Sequence, residues 1–369
     1  MRLAEVVAAL EGAYPPHLAE PWDAVGLVCG DPEAEVRSVL FAVDPVAPVV
    51  DEAVAGGVDL VVTHHPLYLR GTSSVAATAP KGRVVHRLLT ARCALFAAHT
   101  NADSAQPGVS DALADLFGLR ELRPLQPTAV AAPDKLVVYV PEPDAPRLRA
   151  ALWDAGAGRQ GAYDRVAFTS AGTGTFRPLA GASPAVGAVG RGEEVTECRV
   201  EVLVERRLRG PVLAAMHAAH PYEEVAYDLL ERVAPAADTG LGRVGELPEP
   251  LSLRELVERA AGVLPATAWG VRAAGDPERT VTRLAVCGGA GDSLLGAAAA
   301  CGAQAYLTGD LRHHTAAEAP DRLALLDAAH WATEWPWLPV AADRLGRETG
   351  LATRVSTVVT DPFGVAARS

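Results

Sequence analysis

The chain has 369 residues and a formal net charge of −12, because 45 acidic side chains outnumber 33 basic ones. This balance argues against nucleic acid as the main partner, since binding its backbone needs clustered lysine and arginine. Apolar residues make up 49% of the chain, which allows a sizeable core and excludes global disorder. No apolar stretch reaches the roughly 18 residues that a membrane helix needs, so we expect a soluble protein. Glu5 and Glu11 interrupt the first apolar pattern, so we expect no secretory signal peptide.

The cysteines indicate the compartment. The chain has five of them, an odd number, and none are spaced as Cys-x-x-Cys. A disulfide framework and a cysteine zinc site are therefore not expected, and a reducing cytoplasm is the simplest location.

The first 120 residues predict an α/β fold. An amphipathic helix opens the chain, with Leu3, Val6 and Leu10 on one face and Pro15 after its end. Strands then alternate with helices, which implies crossover connections and a largely parallel sheet. The predicted strands cover 39–43, 59–63 and 94–98, and the predicted helices cover 49–55, 83–90 and 110–117, the last with Ser110 as its N-cap.

The same alternation returns after about residue 280. The predicted strands cover 283–287, 305–308, 323–327 and 354–359, and the predicted helices cover 293–300 and 340–345. The two ends of the chain therefore form either two domains or two halves of one sheet that an insert interrupts.

The middle of the chain has a different pattern. Proline and alanine mark its edges at 126–133 and 233–250, as in linkers. Between them the predicted order is strand, helix, strand, strand, helix, strand, over roughly 100 residues, which is typical of a ferredoxin-like unit.

Histidines and carboxylates follow four of the predicted strands. Ligands gather outside the carboxyl ends of strands in open α/β sheets, so these side chains are candidates for one site. Imidazole and carboxylate ligands without thiolate suit zinc, iron or manganese. One histidine after a strand is more often structural, but adjacent pairs and repeated motifs favour a metal site. The candidates are His64 and His65, then His99, Asn101 and Asp103, then Asp310, His313 and His314, and finally His330 and Glu334.

The last of these pairs has helical spacing. His330 and Glu334 are one turn apart, so on a helix they share a face. Because Pro336 is tolerated only near a helix start, we expect that helix to begin close to Thr333. A glycine-rich turn at 287–293 joins a strand to a helix; it is either a plain tight turn, which we favour, or a phosphate cradle.

At these residues the chain resembles the Nif-three-like dinuclear metal-centre family, whose members are often called GTP cyclohydrolase I type 2 homologues. The matching motifs span nearly the whole chain: WDAVGL at 22–27, THHP at 63–66, AHTNAD at 98–103, GRVGEL at 242–247, CGGAGDS at 287–293, TGDLRHH at 308–314 and DAAHWATE at 327–334. The resemblance implies two divalent ions per chain (zinc, iron or manganese), held by His64, His65, Asp103, His330 and Glu334.

The middle segment resembles the PII and CutA trimeric signalling domains over 161–178 and 220–229. We therefore expect an α/β metal-binding domain in two parts, 1–126 and 240–369, interrupted by a ferredoxin-like (PII/CutA-like) α+β insert at 128–235. Family members are similar in forming hexamers, so the resemblance implies a homohexamer.

The preferred function is a dinuclear metal-dependent hydrolase for a nucleotide-like small molecule. For GTP, hydroxide formed at the ions would attack the purine C8, open the ring and end in formate release. His99, Asp310 and His314 are candidates for orienting the ligands or transferring protons, because they lie in the same motifs. The alternatives are a two-metal phosphoesterase and a metal-binding hexameric scaffold that regulates without catalysis.

Overall fold

A computed structural model describes residues 1–128, 132–233 and 237–367 of the chain. The chain forms two compact units: residues 1–128 and 237–367 build the first, and residues 132–233 build the second. In the described part of the chain, no helix combines the length and the apolar character needed to cross a membrane.

The helices and strands fall into three consecutive segments of the chain. Residues 1–128 contain α1 (Leu3–Ala13), β1 (Gly26–Cys29), β2 (Ser38–Ala42), α2 (Ala47–Ala55), β3 (Leu60–Thr63), α3 (Pro80–Thr90), β4 (Ala94–Ala97), α4 (Thr100–Ser104), α5 (Val109–Leu116) and β5 (Arg120–Pro127). Residues 132–233 contain β6 (Asp134–Pro141), α6 (Ala145–Asp154), β7 (Ala167–Phe176), β8 (Glu193–Val204), α7 (Arg209–Ala219) and β9 (Tyr227–Leu230). Residues 237–367 contain β10 (Gly240–Ser252), α8 (Leu253–Val263), β11 (Arg272–Ala274), β12 (Thr280–Ala290), α9 (Leu295–Ala300), β13 (Ala305–Gly309), α10 (His313–Ala317), β14 (Ala324–Asp327), α11 (His330–Glu334), α12 (Trp337–Thr349) and β15 (Ala352–Val355).

The first unit contains two sheets, each with a parallel centre. The N-terminal sheet has the order β1-β4-β3-β2-β15, in which only β1 runs antiparallel to its neighbour. The C-terminal sheet has the order β11-β14-β13-β12-β10-β5, and its parallel pairs are β12 with β13 and β13 with β14. The prediction of an α/β fold is confirmed.

The two sheets exchange strands. β5 comes from the N-terminal half but pairs with β10 of the C-terminal sheet, whereas β15 comes from the end of the chain but pairs with β2. The ends of the chain are therefore neither two separate domains nor halves of a single sheet. They form two sheets within one compact unit.

The central strands are continuous apolar runs because helices and loops cover both faces. Every residue of β3, β4, β13 and β14 is buried. Fully buried parallel strands have this composition, which is why the sequence locates them within one or two residues.

Two local predictions are wrong. Proline content predicts a linker over 233–250, but β10 occupies Gly240–Ser252. The pairing of β10 with β12 is irregular between Glu246 and Leu251, and Pro248 and Pro250 lie within this irregular stretch. Proline is tolerated at such an irregularity. Ser110 does not cap α5, because it is buried inside that helix. The Asp111 carboxylate instead accepts a hydrogen bond from the Gly108 N–H at 2.8 Å.

The second unit is a four-stranded antiparallel sheet with two helices. Its strand order is β7-β8-β6-β9, and the chain passes through β6, α6, β7, β8, α7 and β9 in turn. Apolar side chains of β6 and β8 pack against α6 and α7 to form its core. The likeness of this unit to trimeric signalling domains stays a prediction.

A buried ion pair connects β10 of the C-terminal sheet to α5 and to the turn after α4. Arg243 of β10 is 1% exposed, and its guanidinium donates to both oxygens of Asp111 on α5, at 2.8 and 2.7 Å. The same group donates to the backbone carbonyls of Gly240, Gly242 and Ala105. All five N–H groups of the arginine can thus be used, which is what makes a buried guanidinium tolerable.

Replacing Arg243 by methionine should lower the free energy of unfolding by about 3–5 kcal/mol, because the substitution leaves Asp111 buried without its partner. Urea denaturation followed by circular dichroism measures the change. Arg347→Met is the control: its ion pair with Asp343 is exposed, and its loss should cost less than about 1 kcal/mol. Equal losses in the two variants would contradict the structural role of Arg243.

Candidate metal centre

Two histidines leave the carboxyl end of β3 and are held by their Nδ1 atoms. His64 is fully buried, and its Nδ1 lies 3.0 Å from the Ala98 carbonyl oxygen. The Nδ1 of His65 lies 2.7 Å from Oδ1 of Asp44, the residue that follows β2 by two positions. With Nδ1 held in this way, the Nε2 atom of each ring is left to bind a metal.

The Glu334 carboxylate lies at the centre of the cluster. Its Oε1 is 2.9 Å from His330 Nε2 and 3.4 Å from His64 Nε2, and its Oε2 is 3.2 Å from His65 Nε2. The Nε2 atoms of His65 and His330 are themselves only 3.2 Å apart. Asp310 holds the Nδ1 of His330 at 2.8 Å.

His330 and Glu334 share a face of α11, as their spacing predicts. The expected start near Thr333 is wrong, however, because α11 begins at His330 directly after Ala329, which has a φ of +61°. Pro336 follows this short helix and is the N-cap of α12. Two consecutive helices thus occupy the stretch in which the sequence predicts one.

His99 approaches the same cluster from the end of β4. Ligand atoms of His64, His65 and His99 lie within 4.8 Å of one another. Oδ1 of Asp23 holds His99 Nδ1 at 2.8 Å, and the other oxygen accepts the backbone N–H of Thr100 at 3.0 Å. This histidine therefore lies where a ligand would lie, although the sequence suggests only an orienting or proton-transferring role.

Asp103 and Asp310 lie at the edge of the cluster. Oδ1 of Asp103 is 3.7 Å from His64 Nε2, and burial raises the pKa of the Asp103 carboxyl group. Asp310 is half exposed and reaches the cluster only through His330.

Three of the candidates lie outside the cluster. His313 and His314 are exposed on α10, and among the described residues no hydrogen bond or ion pair joins them to the other candidates. Asn101 is buried, but its side-chain amide donates to the Tyr14 carbonyl at 2.7 Å, which is a structural contact. The sequence assigns a role as ligand, orienting group or proton-transfer group to eight residues. Among the described residues, His314 is the only one of these eight that lies away from the cluster.

The electrostatics of the cluster are dominated by its buried carboxylates. Burial opposes the protonation of His65, but Glu334 and Asp44 outweigh it and raise the pKa of His65 to about 11. Burial likewise opposes the protonation of His330, whose pKa Glu334 raises to about 9. Burial alone would raise the pKa of Glu334, but the three histidines hold it well below its usual value. The cluster is therefore built to hold positive charge.

The donor set fits a metal ion. His64 Nε2 and Glu334 Oε2 are both buried, and among the described residues neither makes a well-aligned hydrogen bond, although His65 Nε2 lies 3.2 Å from Glu334 Oε2. Orphaned buried polar atoms are rare and call for an explanation, and a bound cation supplies one. Imidazole and carboxylate donors without thiolate suit zinc, iron or manganese.

A glycine gives the cluster its space. Gly289 lies at the end of β12 with a φ of +65°, which side chains rarely adopt. A Cβ atom there would lie 2.4 Å from Glu334 Oε1 and 3.0 Å from His330 Nε2. Only glycine leaves room for both the Glu334 and the His330 side chains.

The glycine-rich turn is not a free phosphate cradle. The Gly289 N–H donates to Thr333 Oγ1 at 2.9 Å, and the Gly291 N–H donates to Thr308 Oγ1 at 2.9 Å. These amides tie β12 to α11 and β13, which supports the plain turn.

The sequence does not predict two carboxylates that hold histidines of the cluster, Asp44 and Asp23. Asp44 follows a strand as the other candidates do, and that position is the signal that could identify it. Asp23 lies in the WDAVGL motif, but the motif alone gives it no role.

The fold and the cluster define an α/β protein with a candidate histidine-carboxylate metal centre. The chain belongs to the Duf34/NIF3 (NGG1p interacting factor 3) family, whose sequence model matches residues 1–362. It is 52% identical over 372 residues to a protein of Mycobacterium leprae named GTP cyclohydrolase 1 type 2 homolog, covering 100% of this chain and 96% of that protein. A Mycobacterium tuberculosis protein of the same name is 53% identical over 370 residues, covering 99% and 97%.

Solved structures agree with the family assignment. A Bacillus cereus protein related to NIF3 is 35% identical, with a TM-score of 0.68 and 99% of each chain covered. Staphylococcus aureus protein SA1388 is 26% identical, with a TM-score of 0.77 and the same coverage.

Replacing Gly289 by alanine should reduce metal binding at least about tenfold, because the new methyl group displaces Glu334 and His330. Elemental analysis and metal titration measure the loss. Gly296→Ala is the matched control, since a Cβ at that position in α9 meets no atom within 4 Å. Unchanged metal affinity in Gly289→Ala would contradict the placement of the site.

Metal binding should release at least two protons per chain at pH 7, because ligation requires neutral imidazole and the pKa values of His65 and His330 are raised to about 11 and about 9, while that of His64 is raised as well. Metal affinity should therefore rise with pH, most steeply below about 9 and more gently up to about 11. Calorimetry in buffers of different ionisation enthalpy counts the protons. A binding heat that is independent of the buffer would show that the histidines are already neutral.

Proposed function

We propose that the protein is a dinuclear metal-dependent hydrolase that acts on a nucleotide-like substrate. One observation carries this proposal: two groups of ligand atoms, His64–His65–His99 and His65–His330–Glu334, overlap at His65. Two adjacent groups of this kind suit two neighbouring ions, a common arrangement in hydrolytic enzymes.

We assign the ligands of these ions to the two sheets. His64, His65 and Asp103 come from the N-terminal sheet and its helix α4, and His330 and Glu334 come from α11, which follows the C-terminal sheet. His99 is close enough to bind one of the ions as a further ligand, or to transfer a proton to the Asp23 carboxylate.

The accessibility of the cluster favours catalysis over a purely structural metal. The side chains of His65 and His330 are 23% and 31% exposed, so a small molecule can reach this side of the cluster. Structural zinc sites are closed by four protein ligands, whereas catalytic sites keep a position open. Bound divalent ions would supply Lewis acidity and hydroxide at neutral pH.

GTP is the substrate that the relatives support. Proteins more than 50% identical over the whole chain carry the name GTP cyclohydrolase 1 type 2 homolog. We propose the corresponding reaction, in which water opens the imidazole ring of the purine and formate is released. The active assembly would be a homohexamer in the cytoplasm.

A regulatory function is the second candidate, and a cavity in the second unit favours it. The cavity has a volume of about 740 Å³, and Phe176, Tyr139, Tyr222 and Glu197 are among its lining residues. The Tyr222 hydroxyl is buried without a hydrogen-bond partner among the described residues. An apolar cavity of this size with a few polar groups is typical of small-molecule sites.

Incubation of the protein with GTP and saturating zinc, manganese or iron should release formate and remove the purine absorbance. His64→Ala and Asp103→Ala should abolish turnover while circular dichroism shows a retained fold, since each removes a proposed ligand. His217→Ala, an exposed histidine of the second unit, is the control. Elemental analysis should give about two ions per chain in the active protein.

Turnover that no metal raises above the level of the His64→Ala variant would overturn the hydrolase. If nucleotides still raised the melting temperature under those conditions, the regulatory function would replace it.

A further inference from the structure

A second cavity, of about 390 Å³, adjoins the metal centre at His65. One wall contains His65 and Asp44, the residues that connect the cavity to the cluster. α3 forms another part of the lining, with Lys81 and Arg83 in its first turn and Arg87 in its last turn. Three basic side chains in one cavity are unusual in a chain with a net charge of −12.

Two acidic groups near this cavity are already paired. Asp51 forms an ion pair with Arg87, and Asp44 contacts His65 and the Thr360 hydroxyl. Lys81 and Arg83 have no carboxylate partner among the described residues. The cavity therefore keeps two uncompensated positive charges, which is the arrangement that attracts an anion.

Lys81 is an exposed residue in the first turn of α3. It is one of only two lysines in the chain, and its Nζ lies 5.6 Å from the centre of the Tyr68 ring. The other lysine, Lys135, pairs with Glu201. A lysine ammonium with free donors is a common phosphate ligand.

The loop at 76–78, which precedes α3, packs against the first turn of that helix. Arg83 donates to the backbone carbonyls of Ala77 and Thr78, at 3.5 and 3.3 Å. A Cβ at Gly82 would lie 2.0 Å from the Ala76 carbonyl oxygen, so the loop packs directly on the first turn of α3. That turn carries no acidic residue and no side-chain cap, so the partial positive charge of the helix end adds to the two cations.

We propose that this cavity binds the phosphate group of the substrate while the part that reacts lies at the metal centre. The proposal rests on the proposed function for the position of the reacting group, but the anion site itself does not depend on which reaction occurs. It also places the phosphate away from the glycine-rich turn, whose Gly289 and Gly291 amides are already bonded.

The test compares the binding of inorganic phosphate, GMP and guanosine to the metal-loaded protein by equilibrium dialysis. Lys81→Glu should weaken phosphate and GMP binding by about tenfold or more and leave guanosine unchanged, because the substitution replaces a charge-assisted hydrogen bond by repulsion. Arg322→Glu, which makes the same change in net charge at an exposed position before β14, should leave all three affinities unchanged. Elemental analysis confirms equal metal content in both variants.

The outcomes separate the two proposals. Loss of phosphate and GMP binding in Lys81→Glu, with no GTP turnover in the parent protein, would keep the anion site and remove the hydrolase. Equal affinities in Lys81→Glu and Arg322→Glu would overturn the anion site, whether or not GTP is turned over. Binding of phosphate only through the metals, abolished by chelation and insensitive to Lys81→Glu, would also overturn it.

Discussion

The candidate metal centre requires two sheets to keep their positions, and the Arg243–Asp111 ion pair is one contact that fixes the C-terminal sheet against the segment that carries Asp103. His64 and His65 follow a strand of the N-terminal sheet, and Glu334 follows the C-terminal one. The buried guanidinium joins β10 to α5 and to the turn after α4. A shift of about one ångström between the sheets would separate His65 from Glu334, whose Nε2 and Oε2 atoms lie 3.2 Å apart, and such shifts disable metal and catalytic sites.

A second layer of acceptors fixes the direction of each imidazole. The acceptors are one backbone carbonyl and three carboxylates, one for each ring: Ala98, Asp44, Asp23 and Asp310. Ring orientation is therefore set before a metal arrives, so binding costs little conformational entropy. Asp44 and Asp310 also raise the pKa values of His65 and His330, so protons must leave these two rings before a metal binds.

The sequence is informative where function and local structure coincide. Buried strands such as β3 and β14 are continuous apolar runs, and the ligands lie directly after them, so position alone identifies His64 and His330. Pairing between distant segments leaves no local signal, and the exchange of β5 and β15 between the sheets is not predicted. Proline content indicates a linker where β10 runs, because an irregular strand and a linker have the same composition. Asp23 is not predicted for a related reason, because its importance arises only from its contact with His99, whereas the position of Asp44 after β2 could have identified it.

The exchange of strands has a consequence for biosynthesis. As the chain leaves the ribosome, β2 has an open edge until β15 emerges some 300 residues later, and β5 must wait for β10. Neither sheet is complete in the nascent chain, and Glu334 emerges only just before the last strand. An unpaired strand edge is therefore open to association with other chains during most of translation. A chain truncated before Glu334 lacks the carboxylate at the centre of the cluster, so the candidate metal centre cannot be complete in such a product.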